Sequence, residues 1–234
     1  MLPYKNCEIE SDNILTRVTL FKNWPDHELH DLCLRSFVEN YSASQIIYEE
    51  GDISRFLCIV ISGRIEISYL RENGEHVLFS ILDEMDIFGE IGFFDGRPRN
   101  EMAIAKSDCR ILLIPKTALI EIIKNISFEA WLDIVQYLCL KQRKMAKDIT
   151  ENSIFSSKQR LASKLLELSG KSSQPGKIFL TKEDLASMLG LSRVTIGKLL
   201  MNFEKEKAII NKRSCVEITD KKILAAHMEN DNEN

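Results

Sequence analysis

Apolar positions follow two periods along the 234-residue chain. Leu29, Leu32 and Cys33 fall on one helical face, and helix is predicted over residues 14–37, with Pro25 in a first turn where its missing N–H goes unnoticed. From Gln45 to Pro115 the period drops to two. Leu57–Ile61 is a continuous apolar run punctuated by Gly63. Ile65, Ile67 and Tyr69 then alternate with Arg64, Glu66 and Ser68. Asn73-Gly74 is a strong hairpin signal that returns the chain as a strand over Val77–Leu82. Further strands are expected at Met102–Lys106 and Arg110–Ile114. Short strands with frequent turn signals predict a sandwich or barrel rather than a βαβ sheet.

The helical period resumes from Phe128 to about Ser153, without Gly or Pro. Trp131, Leu138 and Met145 lie seven apart, with Ile134, Val135, Gln142 and Ile149 beside them and Lys141, Arg143, Lys144 and Lys147 expected to face outward. Such a helix would be about 39 Å long, more than a domain of this size needs. The stripe Trp131, Val135, Leu138, Gln142, Met145 and Ile149 therefore predicts a homodimer seam; a helix packed only on its own domain is the plainer alternative. Ser156–Leu168 reads as another amphipathic helix, and Gly170–Gly176 as a loop.

Two short helices follow. Thr181, with Asp184 three residues on, starts the first, whose apolar face is Leu185, Ala186 and Leu189, and Gly190 ends it. Ser192 caps the second, with Ile196, Leu199, Leu200 and Phe203 on one face. Helix, short turn, helix is the helix-turn-helix plan, although an ordinary helix pair has the same pattern. Ile209, Ile210, Val216 and Ile218 flank the polar turn Asn211–Ser214, which predicts a wing-like hairpin. Residues Glu229–Asn234 read as an unstructured tail. The predicted organisation is a β-domain at 1–127, a dimerisation helix at 128–155, a winged helix-turn-helix at 156–226 and a tail at 227–234.

Composition adds little, but charge distribution adds much. An apolar share of 44% and a charged share of 28% are those of a soluble globular protein. No apolar run is long enough to span a membrane. Cys7, Cys33, Cys58, Cys109, Cys139 and Cys215 are scattered without a CxxC pair, and the N-terminus lacks a signal-peptide pattern, so a cytoplasmic protein with reduced thiols is expected. Residues 1–127 carry 13 Lys/Arg against 21 Asp/Glu, a balance of −8. Residues 156–213 carry 12 against 5, a balance of +7. A basic unit built on a helix-turn-helix has the electrostatic footprint of a phosphate-backbone binder.

Three groups of residues carry candidate chemistry. In Phe88-Gly89-Glu90-Ile91-Gly92 through Pro98-Arg99, glycine lets backbone N–H groups approach an anion, glutamate can accept from sugar hydroxyls, and arginine offers a fork to phosphate. This suits a ribose phosphate; a plain surface turn is the alternative. Arg193, Val194 and Thr195 begin the second short helix, one turn ahead of Lys198, where such motifs enter a major groove. His27, His30 and Cys33 recur every third residue, which drifts around a helix and makes a poor tetrahedral site, so no metal is expected. No nucleophile with a paired base and no Walker loop is found, and an enzyme is not expected.

In this order, Tyr48-Glu49-Glu50-Gly51-Asp52, Ile61-Ser62-Gly63, Phe88-Gly89-Glu90 through Pro98-Arg99, and Leu191-Ser192-Arg193-Val194-Thr195-Ile196-Gly197-Lys198 resemble the Crp/Fnr superfamily of bacterial transcription regulators over nearly the whole chain. The resemblance implies an α+β protein: an N-terminal double-stranded β-helix (jelly-roll) domain of the cyclic-nucleotide-binding kind, a long dimerisation helix, and a C-terminal winged helix-turn-helix. It implies a homodimer on palindromic double-stranded DNA, working with RNA polymerase and controlled allosterically by a small molecule. The effector residues it implies are Gly89, Glu90 (ribose), Ile91, Arg99 (phosphate) and Asn100, with cyclic AMP as the possible effector. The DNA-facing residues are Thr181, Lys182, Ser192, Arg193, Val194, Thr195 and Lys198.

The match has departures. The family puts small residues after the arginine, whereas Asn100 and Glu101 stand here, and a carboxylate beside the phosphate seat repels the ligand unless it points away. Met85 replaces a customary glycine. Met145 and Ala146 align with a Thr-Ser pair that touches adenine in cyclic-AMP-binding members. Val194 replaces a glutamate of the recognition helix, so the operator is expected to depart from the TGTGA half-site opposite that residue. Two alternatives stay open: a regulator of this fold gated by no ligand or by a non-nucleotide, and a cyclic-nucleotide module that acts on a protein partner.

Overall fold

The computed structural model describes residues 12–70, 76–171 and 174–229. The Asn73-Gly74 turn, Cys7 and the last five residues lie outside them. The chain divides into two compact units, residues 1–143 and 144–234.

The first unit opens with α1 (Asp12–Leu15), a 3-10 turn (Thr19–Phe21) and α2 (Asp26–Leu34). The single helix expected over 14–37 is thus broken. Pro25 is extended at φ −61°, ψ 139° and precedes α2 instead of lying in its first turn, consistent with a residue that cannot donate to a helical ladder. The end of the predicted helix is instead strand β1 (Phe37–Tyr41), whose partner lies some seventy residues away in sequence.

The β-region then runs β2 (Ile46–Tyr48), β3 (Phe56–Ser62), β4 (Ile65–Leu70), β5 (His76–Leu82), β6 (Ile87–Phe88), α3 (Glu90–Asp95), β7 (Met102–Ala105) and β8 (Cys109–Pro115). These strands form two antiparallel four-stranded sheets in the orders β1-β8-β3-β6 and β2-β7-β4-β5. α4 (Lys116–Ile123) and α5 (Phe128–Ile154) follow. The continuous apolar run in β3 has a simple cause: both of its faces are buried. Leu57 and Ile59 join Leu112 and Ile114 of β8 against the helices, in a core with Phe21, Trp24, Leu32, Leu119 and Ile134. Cys58 and Val60 turn the other way, into a roll interior shared with Tyr48, Ile65, Ile67, Phe88, Ile111 and Leu113. Met85, which stands where a glycine is customary, adopts the left-handed backbone at φ 71°, a conformation that disfavours a Cβ.

The second unit contains α6 (Ser157–Lys171), β9 (Lys177–Ile178), α7 (Lys182–Leu189), α8 (Arg193–Lys205), β10 (Ile209–Lys212), β11 (Cys215–Ile218) and α9 (Lys221–Glu229). α6 passes through Gly170, where the sequence predicts a loop. The hairpin is tighter than expected, since Asn211 and Lys212 belong to β10 and Lys212 pairs with Cys215. β9 adds a third strand to it. α9 continues to Glu229, so residues 227–229 are helical rather than tail.

Candidate effector site and nucleic-acid interface

The Gly-Glu…Arg segment is a short helix and the loop after it, not an open Gly-rich loop. Gly89 caps α3 at φ 71°, ψ 14°, and a Cβ there would run into the Arg99 guanidinium. Glycine is therefore required both for its backbone and for the close approach of the arginine. Arg99 is only 5% exposed. Its Nη1 donates to the Gly89 carbonyl, its Nη2 donates to the Phe56 carbonyl at 2.6 Å, and its guanidinium lies 4.2 Å over the Tyr48 ring. The buried Nε has no hydrogen-bond partner.

Two carboxylates and a second cation complete the centre. Glu90, 7% exposed, pairs with Lys141 of α5 at 3.1 Å, and the same ammonium donates to the Ile87 carbonyl at 3.3 Å. Glu101, also 7% exposed, accepts from the Tyr48 hydroxyl at 3.3 Å. Burial, and next the charge of Glu90, raise the Glu101 pKa from its ordinary value, against the pull of the Tyr48 hydrogen bond, Arg99 and Lys141. Burial likewise pushes the Cys58 thiol up to about 12, making it an inert packing residue.

Of the residues expected to hold an effector, Gly89, Glu90 and Arg99 come together in the interior, whereas Ile91 and Asn100 are exposed. Tyr48 and Lys141 join this centre although no local pattern assigns either of them to it; Lys141 is expected from the helical period to face outward. Arg99 and Tyr48 also line a cavity of about 380 Å³ with Glu39, Tyr41, Arg55 and Phe56, which neither Glu90 nor Asn100 borders.

The helix pair of the second unit follows its local signals closely. The Asp184 N–H donates to Thr181 Oγ1 at 3.1 Å, and the Thr181 N–H donates to Asp184 Oδ2 at 2.9 Å, closing a capping box. Gly190 ends α7 in the left-handed region at φ 61°. Ser192 accepts from the Thr195 N–H at 3.0 Å and starts α8. Ile196, Leu200 and Phe203 are buried, while Ser192, Arg193, Val194 and Lys198 stand exposed, Val194 to 67%. Arg193 pairs with Glu183 at 2.8 Å. Thr181, Lys182 and Arg193 border a cleft of about 410 Å³ with Asn211, Lys212, Arg213 and Ser214 from the hairpin. The basic pair Lys212 and Arg213 was overlooked as a candidate; two cations in a predicted turn were its signal.

Residues 38–125 match the cyclic nucleotide-binding domain, and residues 159–227 match the Crp-like helix-turn-helix domain. The chain belongs to the Crp/Fnr superfamily. It is 26% identical over 220 residues to the CRP-like cAMP-activated global transcriptional regulator of Mycobacterium tuberculosis, covering 92% of this chain and 98% of that protein. It is 24% identical over 196 residues to the cyclic AMP receptor protein of Thermus thermophilus, covering 83% and 89%. Among solved structures it resembles FixK2 from Bradyrhizobium japonicum, with a TM-score of 0.74 at 16% identity, covering 82% of this chain and 96% of that one. This Crp/Fnr member is accordingly a DNA-binding transcription regulator whose N-terminal domain has the cyclic-nucleotide-binding fold.

The long helix of this Crp/Fnr regulator carries two faces. Ala130, Asp133 and Ile134 are buried in the first unit, so Ile134 belongs to the core and not to the stripe it adjoins. Asp133 accepts from the Asn23 backbone at 2.7 Å and from its side chain at 2.8 Å, fastening α5 to the N-terminal helices. Trp131, Val135, Leu138, Met145 and Ile149 are exposed, the last to 64%. His27 and His30 are exposed while Cys33 is buried, so the three do not converge. Among the described residues no group of three His, Cys, Asp or Glu could hold a metal, and no helix is long and apolar enough to cross a membrane.

Proposed function

We propose that this regulator works in the cytoplasm as a homodimer that binds a palindromic operator, with a cyclic nucleotide in the β-roll controlling its DNA-competent form. The observation that carries the dimer is the exposed apolar stripe of α5, a large unpartnered patch that water disfavours and a second copy would cover. DNA binding would use Arg193 on a guanine, Val194 on a thymine methyl, Thr195 and Lys198 at base edges or phosphates, and Ser192, Thr181 and Lys182 along the backbone. RNA polymerase is the protein partner we assign to the DNA-bound dimer, and we assign the chain no catalytic role. The effector would bind one arrangement of the two α5 helices more tightly and so shift the population towards it. Glu90 would meet the ribose and Arg99 the phosphate, with Gly89 giving the Arg99 guanidinium room.

A second reading is favoured by a specific observation. Glu90 already has Lys141, and Arg99 already has two carbonyls, so both charged groups of the cassette have partners without a ligand, the Arg99 Nε alone among them lacking one. On that reading the dimer is always DNA-competent. Sedimentation and gel-shift titration test the shared part. The chain is expected to sediment as a dimer, Leu138→Asp to dissociate it, and Arg193→Ala to weaken operator binding by about 1–3 kcal/mol while relaxing one base position. A wild-type monomer, or an unchanged affinity and preference in Arg193→Ala, would refute it. Calorimetry with cyclic AMP and cyclic GMP separates the two readings.

A further inference from the structure

The carboxylate at position 101 has no counterpart in the small residues of the family pattern, and it is not turned away to solvent. It is buried and hydrogen-bonded to the tyrosine that carries the Arg99 guanidinium. The titratable groups around it come from several elements: Tyr48 on β2, Glu90 on α3, Arg99 on the following loop and Lys141 on α5. Tyr69 on β4 faces the same carboxylate and also feels Glu50. Counting ionised groups, two carboxylates meet two cations. The centre is therefore close to neutral before any ligand arrives. A monoanionic cyclic phosphate would set three negative charges against two positive ones in a place with little water to screen them, which is strongly unfavourable.

Protonation of one carboxyl restores the balance. Glu90 already has a cation in direct contact, Lys141, whereas among the described residues the hydrogen-bond donor to Glu101 is a neutral hydroxyl. We propose that Glu101 is the specificity-determining residue of the β-roll site, so that a cyclic phosphate binds only together with one proton taken up by the Glu101 carboxyl. Oxygen–hydrogen bond formation at Glu101 consumes a proton from the solvent, and nothing else changes covalently. The raised pKa of that carboxyl keeps the proton's cost modest. The site accordingly rejects a cyclic nucleotide at alkaline pH and admits it as pH falls.

This inference rests on the reading that the roll takes a cyclic nucleotide, and the experiment separates the two. Cyclic AMP and cyclic GMP are titrated by calorimetry into the full-length wild type, Glu101→Gln and Glu101→Ser, between pH 5.5 and 8.5, in two buffers of different ionisation enthalpy. Gln is isosteric and can still accept from Tyr48, and operator binding by gel shift reports that each variant is folded. The expected result is one proton taken up per ligand by the wild type at alkaline pH, with affinity falling about tenfold per pH unit there. Both variants should bind more tightly than the wild type at pH 8.5, without proton uptake. Equal affinity and equal proton counts in all three proteins would overturn the role of Glu101 and leave the cyclic-nucleotide reading standing. No binding by any of the three at any pH would overturn both, while retained operator binding would leave the DNA-binding reading untouched.

Discussion

The two units address the same chemical problem, an anionic phosphate partner, in opposite ways. In the helix-turn-helix unit the cations are exposed: Arg193, Lys198, Lys212 and Arg213 stand in water, and their attraction for DNA is long-ranged, additive and screened by salt. In the β-roll site there are two cations, Arg99 buried and Lys141 half-buried, and each already has partners: Arg99 holds two carbonyls and Lys141 holds Glu90. An exposed cation can be lost at modest cost because water replaces its partner. A buried one cannot, because the groups it served are left desolvated. The first arrangement suits a partner presenting a charge every few ångströms. The second suits a single small ligand that has to be told apart from others.

The largest effect that could break this contrast is at Arg99. Arg99→Met removes a buried cation, takes the guanidinium donors away from the Gly89 and Phe56 carbonyls and leaves Glu101 with Lys141 as its remaining positive neighbour. It is expected to lower stability by about 3–5 kcal/mol in urea unfolding, with the loss confined to the transition of the N-terminal unit. A loss under about 1 kcal/mol, typical of a surface substitution, would mean that Arg99 is not held as tightly as its contacts indicate.

Glu167 offers an intermediate case inside the basic unit. It pairs with Lys144 at 2.6 Å and Lys164 at 2.9 Å. Burial alone would raise its pKa, but the lysines outweigh burial and bring it down to about 2. The folded value lies below the unfolded one of 4.5, so the carboxylate's stabilisation is whole above about pH 4.5 and disappears as pH falls through about 2. Glu167→Gln should cost on the order of 2 kcal/mol at pH 7. The gap from wild type should narrow steadily below pH 4.5, and a gap independent of pH would show that packing, not charge, accounts for the loss.

The smallest effect sharpens the other side. Arg213→Ala should leave stability unchanged and weaken operator binding about equally for all sequences. It should also reduce the slope of log K against log salt by about one. An unchanged slope would remove the hairpin turn from the DNA interface.

How legible each unit was follows from the range of its interactions. Thr181, Gly190 and Ser192 fix the ends of α7 and α8 through hydrogen bonds to residues within a few positions, so the helix pair could be read directly. The extent of α5, Phe128–Ile154, followed in the same way from an unbroken helical period. The β-roll was legible as a pattern, since Ile65 and Ile67 alternate as a strand must, but its site was not. Lys141 had the look of a surface lysine because its partner Glu90 lies some fifty residues earlier. Glu101 could be flagged as a charge in an unsuitable place, yet its direction could not.

The sequence by itself determined which segments are helix and strand where the determining contacts are local, the acidic and basic division of the chain, the order of its domains, and the Gly-Glu…Arg and recognition-helix residues. Only the tertiary structure decided that β1 pairs with β8 and that both faces of β3 are covered. It also decided that α3 replaces an open loop, and that two carboxylates share a buried centre with Arg99 and Lys141. The reason is physical. Hydrogen bonds to near neighbours and the periods of helix and strand are properties of a short segment, whereas desolvation depends on what distant parts of the chain lay over a residue, and that coverage exists only once the sheets have closed.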